Sequence, residues 1–231
     1  MSVFRTVLAG VFLLGLGSGP AWAAGPRPSP DQVAAGLAAR YGGLTALTAA
    51  YRRVAAAPAM DQIFKSPARQ VAIGVLYWAR PDRLLLDQVS PKPEVMVTDG
   101  ATVWWHVPAE NLVYRYRDMD VAGELRPLLV FLSGLEALTR DFNLSPAAAD
   151  PARPGQLGLD LTPREGGRSV EHLTVWCDVD FALTGFGFTS FTGETTDFYL
   201  NGLAENPPLP AGMFAFKIPR GTEVIEEGAE K

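Results

Sequence analysis

The stretch GVLYWARPDRLLLDQVSPKPEVMVTDGATVWWHVPAENLVYRYR, Gly74 to Arg117, decides the fold class. Three Trp and three Tyr sit in it among Leu and Val, in an alternation of period two. Gln70 to Arg80, Leu84 to Val89, Glu94 to Thr98, Thr102 to Val107 and Leu112 to Arg117 read as five short strands. Pro81-Asp82, Pro91-Lys92-Pro93, Asp99-Gly100 and Pro108 to Asn111 punctuate them, as in a consecutive antiparallel meander. Asp99-Gly100 is the strongest hairpin signal. Side chains alternate across a strand, so Leu76, Trp78 and Arg80 share one face. A guanidinium closing so apolar a row raises the question of what covers that face. A fixed core would make this a structural protein; a removable ligand would make it a binding protein.

Upstream, SPDQVAAGLAARYGGLTALTAAYRRVAA, Ser29 to about Ala56, has helical character. Ser29 or Asp31 can cap, Pro30 suits the first turn, and Val33, Leu37 and Tyr41 recur at four-residue spacing. Gly42-Gly43 interrupts the pattern, and the chain from Leu44 begins either a second helix or a first strand. Downstream, GELRPLLVFLSGLEALTRDF, Gly123 to Phe142, returns to helical spacing through Leu128, Phe131, Leu132, Leu135 and Leu138. SPAAADPARPG is a surface loop. Strands then resume at Leu157 to Leu161, Val170 to Cys177, Ala182 to Thr189, Thr195 to Asn201 and Met213 to Ile218, and a charged, frayed tail follows Ile225. The expectation is α+β, mainly β: ten to eleven strands in one antiparallel sheet, one leading helix and one inserted helix.

With 231 residues, 48% hydrophobic and 19% charged, the chain can bury one sizeable core. Its acidic balance speaks against nucleic acid, whose binders need a basic face. The first two dozen residues read as a secretory signal: Arg5 is the only charge, an apolar run extends from about Val7 to Leu16, and Ala21-Trp22-Ala23 offers a cleavage site. The expected division is a signal peptide at 1–23 and one domain at 24–231. Losing Arg5 would take the formal charge from −5 to −6. A lone cysteine, Cys177, rules out an intramolecular disulfide and reads as a small buried hydrophobe.

Catalytic signals are thin. The chain has two histidines, His106 and His172, and the odd offset between His172 and Cys177 puts them on opposite faces of one strand. Asp178 and Asp180 could form an acid/base pair, but CDVDFALTG reads more simply as a solvated hairpin turn. FLSGL around Ser133 lacks the glycine before serine of a hydrolase elbow. Neither a metal nor a cofactor is expected.

Four pieces, in this order and spacing, resemble the periplasmic outer-membrane lipoprotein carrier family of the LolA type. They are LYWARP (Leu76 to Pro81), VTDGATVWWHVPAENLV (Val97 to Val113), PLLVFLSG (Pro127 to Gly134) and FAFKIPRGTEVI (Phe214 to Ile225). The resemblance implies an unclosed antiparallel barrel wrapped over helices that lid an apolar cavity. It implies a periplasmic monomer without cofactor that carries lipoprotein acyl chains, or another lipid, from an inner-membrane lipoprotein-releasing transporter to an outer-membrane acceptor lipoprotein. Leu37, Leu76, Trp78, Leu84, Leu86, Trp104, Leu128, Leu129, Phe131 and Leu132 are then candidates for the acyl cavity. On spacing alone, Arg80 snorkels to the sheet edge beside Pro81. The resemblance implies instead a latch from Arg80 to backbone carbonyls around Leu128 to Leu132. The family departs from this chain at YRRV, Tyr51 to Val54, and at Leu84, where an aromatic is common. A periplasmic lipid sensor in envelope-stress signalling and, further off, a secreted hydrolase are the alternatives, since fold alone does not fix function.

Overall fold

The structure, a computed structural model, describes residues 27–57, 69–117, 129, 132, 134, 138–164 and 171–227. The expected signal peptide lies outside them. Helix α1 spans Pro30–Tyr41. Ser29 caps it in a reciprocal box with Gln32, and Pro30 occupies the first turn, where its missing N–H costs nothing. Past Gly42-Gly43 the open alternative resolves to a strand, β1 (Ala46–Ala56), not a second helix. Thr45, Thr48, Tyr51 and Val54 are β-branched or aromatic, and such residues sit more easily on a pleated surface than in a helix.

The meander follows as β2 (Arg69–Ala79), β3 (Arg83–Ser90), β4 (Glu94–Thr98), β5 (Val103–Val107) and β6 (Leu112–Tyr116). A short helix α2 (Leu138–Asp141) leads directly into β7 (Phe142–Pro146). Then come β8 (Leu157–Pro163), β9 (His172–Cys177), β10 (Leu183–Thr189), β11 (Thr195–Glu205) and β12 (Glu223–Glu227). All twelve strands join one open sheet in the order β12-β6-β5-β4-β3-β2-β1-β11-β10-β9-β8-β7. The fold is therefore mainly β, and β1, paired with β2 on one side and β11 on the other, splices the two meanders together. Most of the expected inserted helix, with Leu128 and Phe131, lies outside the described residues; Leu129 and Leu132 are helical and buried.

Three expectations need correction. Among the described residues the strands number twelve, because β7 and β12 were not expected and β1 was one of two alternatives. Met213–Ile218 alternates like a strand yet forms none, since Pro207, Pro208, Pro210 and Pro219 around it withhold ladder donors. The chain instead crosses the outer face of the sheet there, seating Phe214 against Ala46, Ala79 and Val97. Finally, the first two residues of the tail expected to fray after Ile225, Glu226 and Glu227, end β12, which pairs in parallel with β6, Glu223 opposite Leu112 and Glu227 opposite Tyr116. Arg115 and Arg117 both reach Glu226, at 3.0 and 3.1 Å, and so match this acidic edge strand to its basic neighbour.

Candidate functional site: a cavity on the concave face

The inward rows of the sheet follow from its register. Tyr51, Gly74, Gln88 and Glu94 are cross-strand partners, and Leu76, Leu86, Met96 and Trp105 form the next row. Trp78, Leu84, Thr98 and Val103 form a third. Along the rows of Leu76 and Trp78 this face is solidly filled. Leu37, Leu76, Trp78 and Leu84 are all fully buried, with Leu129 and Leu132 packed in the same cluster. These six candidates stand in the protein's own core.

Toward the ends of β1 and β3 the filling stops. A cavity of about 680 Å³ opens there, within the range typical of small-molecule sites. Tyr51, Ala72, Leu86, Met96, Val103, Trp105 and Tyr116 give it apolar walls. Arg53, Arg69, Gln70, Gln88 and Glu94 supply polar groups. Of the eight candidates among the described residues, Leu86 is the one in its lining.

Trp104 requires a correction. It pairs with Val97 and packs on the outer face, its ring stacked on Phe216 at 5.6 Å and Arg115 lying 4.9 Å over it. Its neighbour Trp105 is the cavity tryptophan, donating its indole N–H to Glu94 Oε2 at 3.0 Å and stacking on Tyr114 at 5.1 Å. Gln88, only 8% exposed, donates to the Lys92 carbonyl at 2.9 Å. Burial raises the Tyr116 hydroxyl above the ordinary phenol range, with the charge of Glu227 adding to the effect, so it stays neutral in the wall.

Arg80 is half-buried where β2 ends. Its side-chain Nε–H donates to the Leu44 carbonyl at 2.5 Å, and its backbone N–H to the Thr45 carbonyl at 2.9 Å. Its guanidinium lies 5.9 Å from the Trp78 ring, on the face that strand parity assigns it. The carbonyls of Leu128, Val130 and Phe131 fall outside the described residues.

Residues with chemical potential elsewhere are occupied structurally. Asp178 Oδ1 accepts the N–H groups of Asp180 and Ala182, at 2.9 and 2.8 Å, which is the turn expected of this hairpin. Cys177 faces the core while His172 faces away, and burial pushes the thiol up to about 12. Among the described residues no group of three or more His, Cys, Asp or Glu could hold a metal ion.

An open, almost wholly antiparallel sheet of twelve strands with a partly filled apolar face is a recognisable class, the half-barrel. The family model of the outer membrane lipoprotein carrier protein LolA matches residues 61–217, and the chain belongs to that family. An outer-membrane lipoprotein carrier protein from Dechloromonas aromatica is 30% identical over 158 residues, covering 68% of this chain and 73% of that protein. One from Legionella pneumophila is 28% identical over 172 residues, covering 72% and 81%. Among solved structures, a LolA superfamily protein from Nitrosomonas europaea superposes with a TM-score of 0.41 at 12% identity, covering 82% of this chain and 98% of that one.

Proposed function

We propose that this protein is a periplasmic carrier that shelters lipoprotein acyl chains, or a related lipid, and shuttles them from the inner to the outer membrane. The observation that carries this reading is the cavity of about 680 Å³, walled by Leu86, Met96, Val103 and Trp105, in a chain of the lipoprotein carrier family. The physical need is plain: exposing about fifteen methylenes to water costs ~12 kcal/mol, at ~0.8 kcal/mol each. A lipid-modified protein therefore needs an apolar container to cross an aqueous space. The container must also let go, which favours a non-specific wall over one with many directional bonds. A releasing transporter in the inner membrane and an acceptor lipoprotein in the outer membrane would be the partners.

Arg80 fits this reading as a latch. A guanidinium carries several N–H donors, enough to serve Leu44 and carbonyls of the 128–132 segment together. A charge-assisted bond of this kind contributes roughly 1.5–3 kcal/mol, small enough for an entering chain to displace. In the test, purified protein is charged with a lipoprotein and mixed with acceptor. Arg80→Leu should keep its cargo and transfer poorly; transfer at the wild-type rate would remove the latch. Failure of the wild-type protein to take up lipoprotein would remove the carrier.

A further inference from the structure

The edge of the sheet furthest from the cavity carries a pattern that the carrier reading does not use. Strand β7 reads Phe142-Asn143-Leu144-Ser145-Pro146, an asparagine with a serine two residues on and no proline between them. In an exported protein that is the pattern of an N-linked glycosylation acceptor, where the transferase reads the amide together with the hydroxyl. Of the chain's four asparagines, Asn111, Asn143, Asn201 and Asn206, Asn143 alone has a hydroxyl at that spacing. Strand parity puts Asn143 and Ser145 on one face. Both are exposed, while Phe142 and Leu144 on the other face pack into the core. Among the described residues no hydrogen bond holds either side chain. By contrast, Asn111 donates to the Gly221 carbonyl at 2.9 Å, and Asn206 accepts the Thr45 N–H at 2.7 Å.

Strand β7 ends the sheet and pairs with β8 alone. Opening it locally breaks one short ladder, an event at the low-cost end of native-state fluctuations. An open edge is also a template on which another chain can pair. The opposite edge, β12, is protected by Glu223, Glu226 and Glu227. β7 contains no charged residue, and its one built-in protection is Pro146, which has no N–H to offer.

We infer that Asn143 is the acceptor of an N-linked glycan, which then shields the open β7 edge. The donor is, by class, an oligosaccharide carried on a lipid diphosphate. Asn143 Nδ2 attacks the anomeric carbon, and a C–N bond forms as the C–O bond to the diphosphate breaks. The lipid diphosphate leaves with the electron pair, the amide nitrogen gives up one proton, and nothing is oxidised or reduced. The attached sugar is bulky and solubilising. Because Asn143 faces away from Phe142 and the core, the sugar leaves the cavity between β1 and β6 open. The inference goes beyond the carrier reading and rests on it for export alone, which brings the chain to such a transferase.

The test incubates the purified, folded full chain with an asparagine-directed oligosaccharyltransferase and a lipid-diphosphate-linked oligosaccharide, and maps the glycopeptides by mass spectrometry. The expected result is a single glycan on Asn143, lost in Asn143→Gln and Ser145→Ala and kept in Ser145→Thr. All three variants should retain the wild-type melting temperature and lipid uptake, since both side chains are exposed. No glycan on the folded wild type, or one that survives Ser145→Ala, overturns the acceptor. On heating, the glycosylated protein should stay clear longer than the bare one; equal turbidity overturns the shielding. Co-expression with the transferase, followed by cell fractionation, isolates the export step. An unmodified chain recovered from the periplasm overturns the acceptor, whereas an unmodified chain held in the cytoplasm overturns the periplasmic reading instead.

Discussion

The hydroxyl of Tyr41 accepts the backbone N–H of Leu183 at 2.8 Å, joining the last turn of α1 to the start of β10 across 142 residues of chain. Tyr41 is fully buried, and burial raises its hydroxyl above the ordinary phenol range. Beside it, Arg40 pairs with Glu205 on β11 at 2.9 Å. The two bonds fix α1 against the β10–β11 side of the sheet. Tyr41→Phe keeps the ring but leaves the Leu183 N–H buried and unmet, so stability should fall by about 1–3 kcal/mol in chemical denaturation. An unchanged midpoint would show that the bond contributes nothing.

Gly36 and Gly43 should respond oppositely to the same substitution. A Cβ on Gly36 would come within 2.4 Å of the Phe181 ring, which the β9–β10 turn presses onto α1. Nothing lies within 4 Å of a Cβ on Gly43. Gly36→Ala should cost about 1–3 kcal/mol through overpacking, whereas Gly43→Ala should be neutral or stabilise by up to about 1 kcal/mol. Melting temperatures that move together would refute the seating of Phe181.

On the outer face, Arg153 comes from the loop between β7 and β8 and is 3% exposed. Its guanidinium lies 3.9 Å from the Tyr199 ring centroid and 5.3 Å from that of Trp176. Nε meets Asp150 at 3.2 Å, and Nη2 donates to the Phe198 carbonyl at 3.3 Å. Gly185 makes room for it, because a Cβ there would stand 2.1 Å from Nη1. Arg153→Ala should therefore cost about 2 kcal/mol or more, and Arg153→Lys should recover little, since an ammonium cannot stack between two rings. Gly185→Ala should be comparably harmful. A mild effect from all three would mean that this loop does not brace the sheet.

For Cys177 the direction with pH is fixed by burial. Its thiol is raised to about 12 in the folded protein and returns to an ordinary value near 8.5 on unfolding. Below pH ~8.5 both states hold the proton and the thiol contributes no pH dependence; between there and pH ~12 the unfolded state loses it first, so stability falls as pH rises. Iodoacetamide at pH 8 should leave the folded protein unmodified for hours and label it promptly in denaturant. Rapid labelling of the native state would place the thiol at the surface.

The sequence showed the β2–β6 meander clearly because its turns carry strong chemistry. Asp99 Oδ1 accepts the N–H groups of Ala101 and Thr102, and those bonds hold its carboxyl below the usual carboxylate range. Strand β1 was half-legible: an alanine-rich run has no decided period, and its commitment comes from two neighbouring strands. The cavity was less legible still. Trp104 and Trp105 are adjacent, so which one faces inward depends on cross-strand register, and period two alone does not supply the phase. Gln88 and Glu94 look like solvent-face residues in a list of letters; only curvature of the sheet turns their face into a container. Strand parity groups Leu76, Trp78 and Arg80 on one face, but the sequence does not say where packing ends and the hollow starts.

The most direct test of the container is titration with a fluorescent eighteen-carbon fatty acid, comparing the wild-type chain, Leu86→Arg and Trp104→Ala. Leu86 lines the hollow, while Trp104 lies on the opposite face of the same sheet. Wild type should take up the probe saturably, Leu86→Arg should bind at least about tenfold more weakly, and Trp104→Ala should change little. Equal affinity of the folded Leu86→Arg protein, or no uptake by wild type, would contradict the container.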